Sequence, residues 1–327
     1  MNQLPGSNVF ERMNLADNAC FLCGHTDSIT LEHVFPKWLQ HRFNLWNQRL
    51  TLLNDTLIPY RQLTIPCCST CNNVYLSNLE KPVSHAIERG YEATNSLPTL
   101  TLFQWTAKVF FGVLRKEMVL YRDLRDRNAG TIVPTQLLEA FSTVHHFLQS
   151  IIQPFEFRPN EPFSVLVANL HSESATDDYA FRDNTFYQVM QFRLGEVGLI
   201  VSLLDGGLAA KSYGRYLVKV NGRKLGRYQF DELYAKVAYQ TSNYDFDPKF
   251  LTISNQDPSV PTIIEDFSGG MLNEWDQQDY SNVLRILMQQ NYGEHAPEIV
   301  YQEPGLVTSW MEYLHDENGH PIERLAP

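Results

Sequence analysis

The sequence predicts an α+β protein: a small zinc-braced module at the N-terminus, followed by a larger domain mixing helices and strands. Two observations carry this. All five cysteines fall between Cys20 and Cys71, as C-F-L-C-G-H and C-C-S-T-C-N-N, and the 256 residues beyond contain none. After residue 100, helical and alternating apolar patterns follow one another without any repeat, as in α+β domains.

Two C-x-x-C pairs framing a segment suit a tetrahedral zinc site, in which each tight knuckle supplies two thiolates. Cys20, Cys23, Cys68 and Cys71 are therefore the expected zinc ligands. Cys67 has the character of a small buried hydrophobe, and His25 is a weaker alternative ligand. Inside the frame lies Leu31-Glu32-His33-Val34-Phe35-Pro36. An extended run is expected over 31–35, an amphipathic helix over 36–46, and strands at 50–53 and 63–65. A helix capped by Ser69 or Thr70 follows, with Pro82 kinking it or starting a second one. Residues 1–18 form a lead-in and 91–100 a linker. These divisions give an N-terminal module over 1–90 and an α+β domain over 101–327.

In that second region, helices are expected at 102–127, 135–151, 230–240 and about 280–290. Strands are expected at 164–170, 186–194, 197–204 and 215–220. Lys108, Arg115, Lys116, Arg122, Arg125 and Arg127 fit the solvated face of an amphipathic helix better than a phosphate-tracking stripe. His145-His146 lacks a matching ligand pair and is given no role, and His41 and His85 read as ordinary.

The 327 residues carry a net charge of −11, which argues against a protein that simply coats nucleic acid. Residues 1–90 hold seven basic and seven acidic residues, against 19 and 30 in the remainder. Only the cysteine-bearing segment could face a polyanion, while the acidic region could take a protein partner or ligand. With no apolar run long enough for a bilayer and no signal-like start, a cytoplasmic location with reduced cysteines is expected, and no membrane partner.

Taken as chemistry, His33 is a candidate general base near neutral pH. A carboxylate and an amide oxygen can hold a hard divalent ion, and Glu32 with Asn72 or Asn73 could provide them. By strand alternation Glu32 and His33 either point to opposite faces or diverge around a bend.

Over roughly residues 18–80, Cys20-x-x-Cys23, Glu32-His33 with Pro36, and Cys68-x-x-Cys71-Asn72-Asn73 resemble the HNH (ββα-metal) endonucleases of the four-cysteine subclass. The resemblance implies a metal-dependent endonuclease hydrolysing DNA phosphodiester bonds, with structural Zn²⁺ and catalytic Mg²⁺ or Mn²⁺. It implies His33 as water-activating base, Glu32 and Asn72 as catalytic-metal ligands, and Asn73 as substitute for Asn72. The family usually has Asp before the histidine. It also has a middle asparagine shortly before the second cysteine pair, which secures the histidine loop. Here 60–66 has none: Asn54 lies farther upstream, and Gln62 and Thr64 are the candidates for its role. By analogy alone, the layout suits a bacterial defence or mobile-element nuclease. The alternative is a non-catalytic zinc ribbon that binds nucleic acid or protein.

Overall fold

The computed structural model describes residues 13–172, 178–220, 223–245, 249–253, 260–266 and 271–293. The chain divides into two compact units. Met1–Arg89, Ser96–Pro159 and Phe250–Ile264 form the first, and Gly90–Asn95, Asn160–Lys249 and Glu265–Pro327 the second. Where 91–100 reads as a linker, the structure has helix α3 (Tyr91–Asn95) and the start of α4 (Thr99–Glu117). The long helix α4 belongs to the cysteine-bearing unit, so this division differs from the expected 1–90 and 101–327.

The first unit is built on β1 (Ile29–His33) and β4 (Thr64–Cys68), antiparallel with Ile29 opposite Cys68 and His33 opposite Thr64. Between them come α1 (Lys37–Arg42) and a hairpin of β2 (Arg49–Thr51) and β3 (Leu57–Pro59). The hairpin turns at Asn54-Asp55, where Asp55 takes φ 62, a left-handed backbone that Asp tolerates well. After β4 a wide π-type turn, Cys71–Leu76, leads into α2 (Ser77–Arg89), so two antiparallel strands are followed by a helix. Pro82 lies inside α2 and does not end it.

Helix α4 is buried nearly all round, with Phe103, Trp105, Val109 and Phe110 fully enclosed. Gly112 lets it approach the strand pair: a Cβ there would lie 3.1 Å from Val34 Cγ1 and 3.3 Å from Ile65 Cδ1. One turn earlier Lys108 is also fully buried, as is Arg115 one turn later. Both residues correct the expectation of a solvated basic face. Lys108 Nζ lies 2.7 Å from Glu32 Oε1 and 3.0 Å from Glu80 Oε1, and donates to the carbonyls of His33 (2.7 Å) and Val34 (3.2 Å). Burial opposes the charge on Lys108, but the two carboxylates outweigh it and leave its pKa above the ordinary lysine value. Arg115 donates to the Ala16 carbonyl at 2.7 Å.

The expected helix over 102–127 stops at Glu117, where the chain turns back and Tyr121 bridges Thr131. The helix expected over 135–151 breaks at Phe141 into α5 (Thr135–Ala140) and α6 (Ser142–Leu148). Strand β5 (Glu156–Arg158) closes the unit by pairing in parallel with β12 (Thr262–Asp266), which in turn neighbours β11 (Lys249–Ile253).

The second unit centres on a four-stranded antiparallel sheet in the order β6 (Ser164–Asn169), β9 (Val197–Ser202), β8 (Val189–Leu194), β7 (Tyr179–Asn184). Helices α7 (Leu208–Val220), α8 (Arg227–Ser242) and α9 (Gln277–Tyr292) complete it, with short strands β10 (Tyr244–Asp245) and β13 (Met271–Leu272) paired. The strand expected at 215–220 is instead the end of α7, and β7 is a strand the apolar pattern did not show. The α+β class holds, and no helix among the described residues is long and apolar enough to cross a membrane.

Removing one partner of a buried ion pair strands the other charges, at a typical cost of about 3–5 kcal/mol. Lys108→Met should therefore lower the stability of the first unit by that order in denaturant titration. Lys224→Ala, at a half-exposed pair with Glu196, should leave stability unchanged within ~0.5 kcal/mol.

Candidate functional site

The four expected cysteines converge. The sulfurs of Cys20, Cys23, Cys68 and Cys71 all lie within 4.8 Å of one another, and the donor set and spacing match a structural zinc centre. Each knuckle is locally built. Gly24 N–H returns to the Cys20 carbonyl at 2.9 Å with φ 76 at Gly24, a left-handed turn for which glycine is suited. In the second knuckle Cys71 N–H points at Cys68 Sγ, 3.4 Å away. Cys67 Sγ lies 3.9 Å from Cys20 Sγ and is fully buried, outside the set of four. Hydrogen bonds from Cys23, Cys67 and Cys71 lower the pKa of the Cys20 thiol against the effect of burial. His25 is exposed and takes no part in the cluster.

The first knuckle is held from α6. His145 Nε2 is 2.9 Å from the Phe21 carbonyl, and Gln149 Nε2 donates to the Leu22 carbonyl at 2.7 Å. Burial pushes His145 down to about 4 even though the Phe21 carbonyl and Cys20 favour its charged form. The pair His145-His146 thus includes a structural imidazole that pins the first cysteine knuckle. Backbone bonds Phe21 N–H to Pro66 O and Ser69 N–H to Ser28 O tie both knuckles to the strand pair.

His33 ends β1 at the opposite end of the strand pair from Cys68. It is half-buried, its ring 5.9 Å from Trp46, while Trp46 stacks on His41 at 5.1 Å. Its pKa is lowered, chiefly by burial, then by Lys37 and Lys108, with Glu32 opposing. The imidazole is therefore neutral at physiological pH, the form a general base needs.

Glu32 does not join His33. Its carboxylate is buried and paired with Lys108, on the opposite face of β1 as strand alternation dictates. Asn72 donates through Nδ2 to Thr30 Oγ1 at 3.0 Å and approaches the Leu31 carbonyl at 3.5 Å. It braces the middle of β1. Asn73 is exposed. Glu32 Oε1 thus faces an ammonium group, and Asn72 is tied to β1 through Nδ2. Among the candidates for the missing asparagine, Gln62 is exposed and Thr64 faces His33 only through the strand register. Asn54 serves the β2–β3 turn, accepting from Thr56 N–H and donating to the Arg122 carbonyl.

Two residues beside the site lay outside the sequence reading, Lys108 as a clamp and Gln40, while Trp46 entered it only as the end of the helix expected over 36–46, which stops at Arg42. A signal existed for Lys108, since a lone cation in Thr-Ala-Lys-Val-Phe-Phe demands a buried acidic partner. No family model, curated protein or solved structure matches the chain.

Elemental analysis should find one zinc per chain, because closing the thiolate site contributes folding free energy directly. Cys23→Ser and Cys68→Ser should lose it, whereas Cys67→Ser should retain it. A second test concerns acid stability. The folded pKa of His145, about 4, lies below its ordinary 6.5, so the folded state binds fewer protons than the unfolded one. The associated stability, up to about 3 kcal/mol, is full above pH ~6.5 and lost as pH falls toward ~4. Denaturant unfolding between about pH 7 and about pH 5 should show wild type losing more stability than His145→Gln.

Proposed function

We propose that the N-terminal unit is an HNH-like endonuclease that hydrolyses DNA phosphodiester bonds, with His33 as general base and zinc as the brace. One observation carries the reading: a neutral, half-buried imidazole stands at one end of a strand pair whose other end enters a four-cysteine cluster. The order of strand, strand and helix around that cluster agrees with it. So does the exposed Lys37, whose positive charge acts on His33. An anionic phosphate suits such surroundings.

In this reading His33 accepts a proton from water, the resulting hydroxide attacks phosphorus, and the P–O bond to the leaving nucleotide breaks. Cys20, Cys23, Cys68 and Cys71 would hold zinc, which fixes the two knuckles and takes no part in the chemistry. A catalytic Mg²⁺ or Mn²⁺ on Glu32 and Asn72 would have to compete with Lys108 and share Asn72 with Thr30. The acidic second unit would bind a protein partner or ligand, and a role in bacterial defence fits the layout by analogy.

The buried Glu32–Lys108 pair favours a second reading, a zinc ribbon that binds nucleic acid or a protein without cutting. A plasmid-nicking assay with Mg²⁺ or Mn²⁺ separates the two. On the nuclease reading wild type nicks, and His33→Ala lowers the rate by ~10²–10⁴-fold with zinc and fold retained. Binding without cleavage under every divalent metal supports the ribbon.

A further inference from the structure

The carbonyls of His33, Val34 and Phe35 run in sequence where the chain leaves β1, and each is taken by a side-chain donor. Lys108 takes the first two, and Gln40 takes the third through Nε2 at 2.7 Å. Gln40 is fully buried on α1. The Phe35 contact fixes the orientation of its amide, since turning it over would set Oε1 against a carbonyl oxygen. The same nitrogen lies 3.5 Å from His33 Nδ1. Oε1 has no hydrogen-bonding partner among the described residues, so the amide faces the histidine loop and is not spent elsewhere.

We infer that Gln40 is the positioning residue for His33, doing here what the missing asparagine would do: it ties down the loop after the histidine and sets the ring's orientation. An N–H directed at Nδ1 makes that nitrogen the acceptor, so the neutral ring carries its proton on Nε2. At 3.5 Å the contact is long and weak, so Nδ1, which holds the one basic lone pair of the ring, trades that contact for water when it acts as base. Trp46, 5.9 Å away, borders another side of the ring. The assignment rests on the nuclease reading for its catalytic meaning, but the orientation it describes exists whether or not the protein cuts DNA.

The test uses zinc-loaded full-length protein, with the His33 imidazole nitrogens assigned in long-range ¹H–¹⁵N spectra by difference against His33→Gln. Wild type should show Nδ1 unprotonated and Nε2 protonated. In Gln40→Glu a carboxylate oxygen becomes the acceptor and the proton should move to Nδ1. In the same protein, cleavage should fall by about 10²-fold through kcat, with KM little changed, as for a misplaced reacting group. Gln40→Leu should lose the Nδ1 constraint, and if it fails to fold, Gln40→Glu decides alone. Identical Nδ1 protonation in wild type and folded Gln40→Glu overturns the assignment, as does wild-type kcat in Gln40→Glu when wild type cleaves. A moved proton in a protein that never cleaves keeps Gln40 as positioning residue and instead removes the nuclease reading.

Discussion

The register between β1 and β4 is the constraint on which the first unit depends. Ile29 opposite Cys68 puts one end of the pair into the thiol cluster, and His33 opposite Thr64 puts the histidine at the other. A slip of one residue would turn His33 inward and bring Glu32 out. Four sulfurs within 4.8 Å form a closed donor set only if both knuckles stay in this register, so metal binding and strand pairing enforce each other.

Lys108 is the second tie. Its ammonium would be costly to bury alone, and so would Glu32 and Glu80 without it. Burial, together with the charge of Glu32, raises the pKa of Glu80 against the pull of Lys108. The clamp welds α4 to β1, α2 and the loop after His33. The compact unit consequently extends well past residue 90, and the long helix is part of the cysteine module's core.

The four-cysteine cluster was legible in the sequence because its information is local: two short motifs state both the sulfur donors and the loop between them. Strand alternation likewise allowed that Glu32 and His33 face opposite ways, although the family resemblance assigns both to one metal site. The fate of Glu32 was hidden because its partner lies 76 residues away, and no local pattern links them. Gln40 was invisible for a related reason. A polar residue in Trp-Leu-Gln-His-Arg reads as surface until the fold buries it against Phe35. In the second unit, β7 carries Arg182 and Asp183 and so lacks an apolar signal, whereas Tyr-Leu-Val within 215–220 looked strand-like though it completes a helix.

The central claim is that metal closure at one end of the strand pair holds His33 at the other. Hydrogen–deuterium exchange of the full-length protein, with zinc bound and after chelation, tests it most directly. The account predicts that amides of 29–33 and 64–68 lose protection when zinc is removed, while those of β6, β8 and β9 in the second unit keep theirs. Equal protection of 29–33 with and without zinc would contradict it.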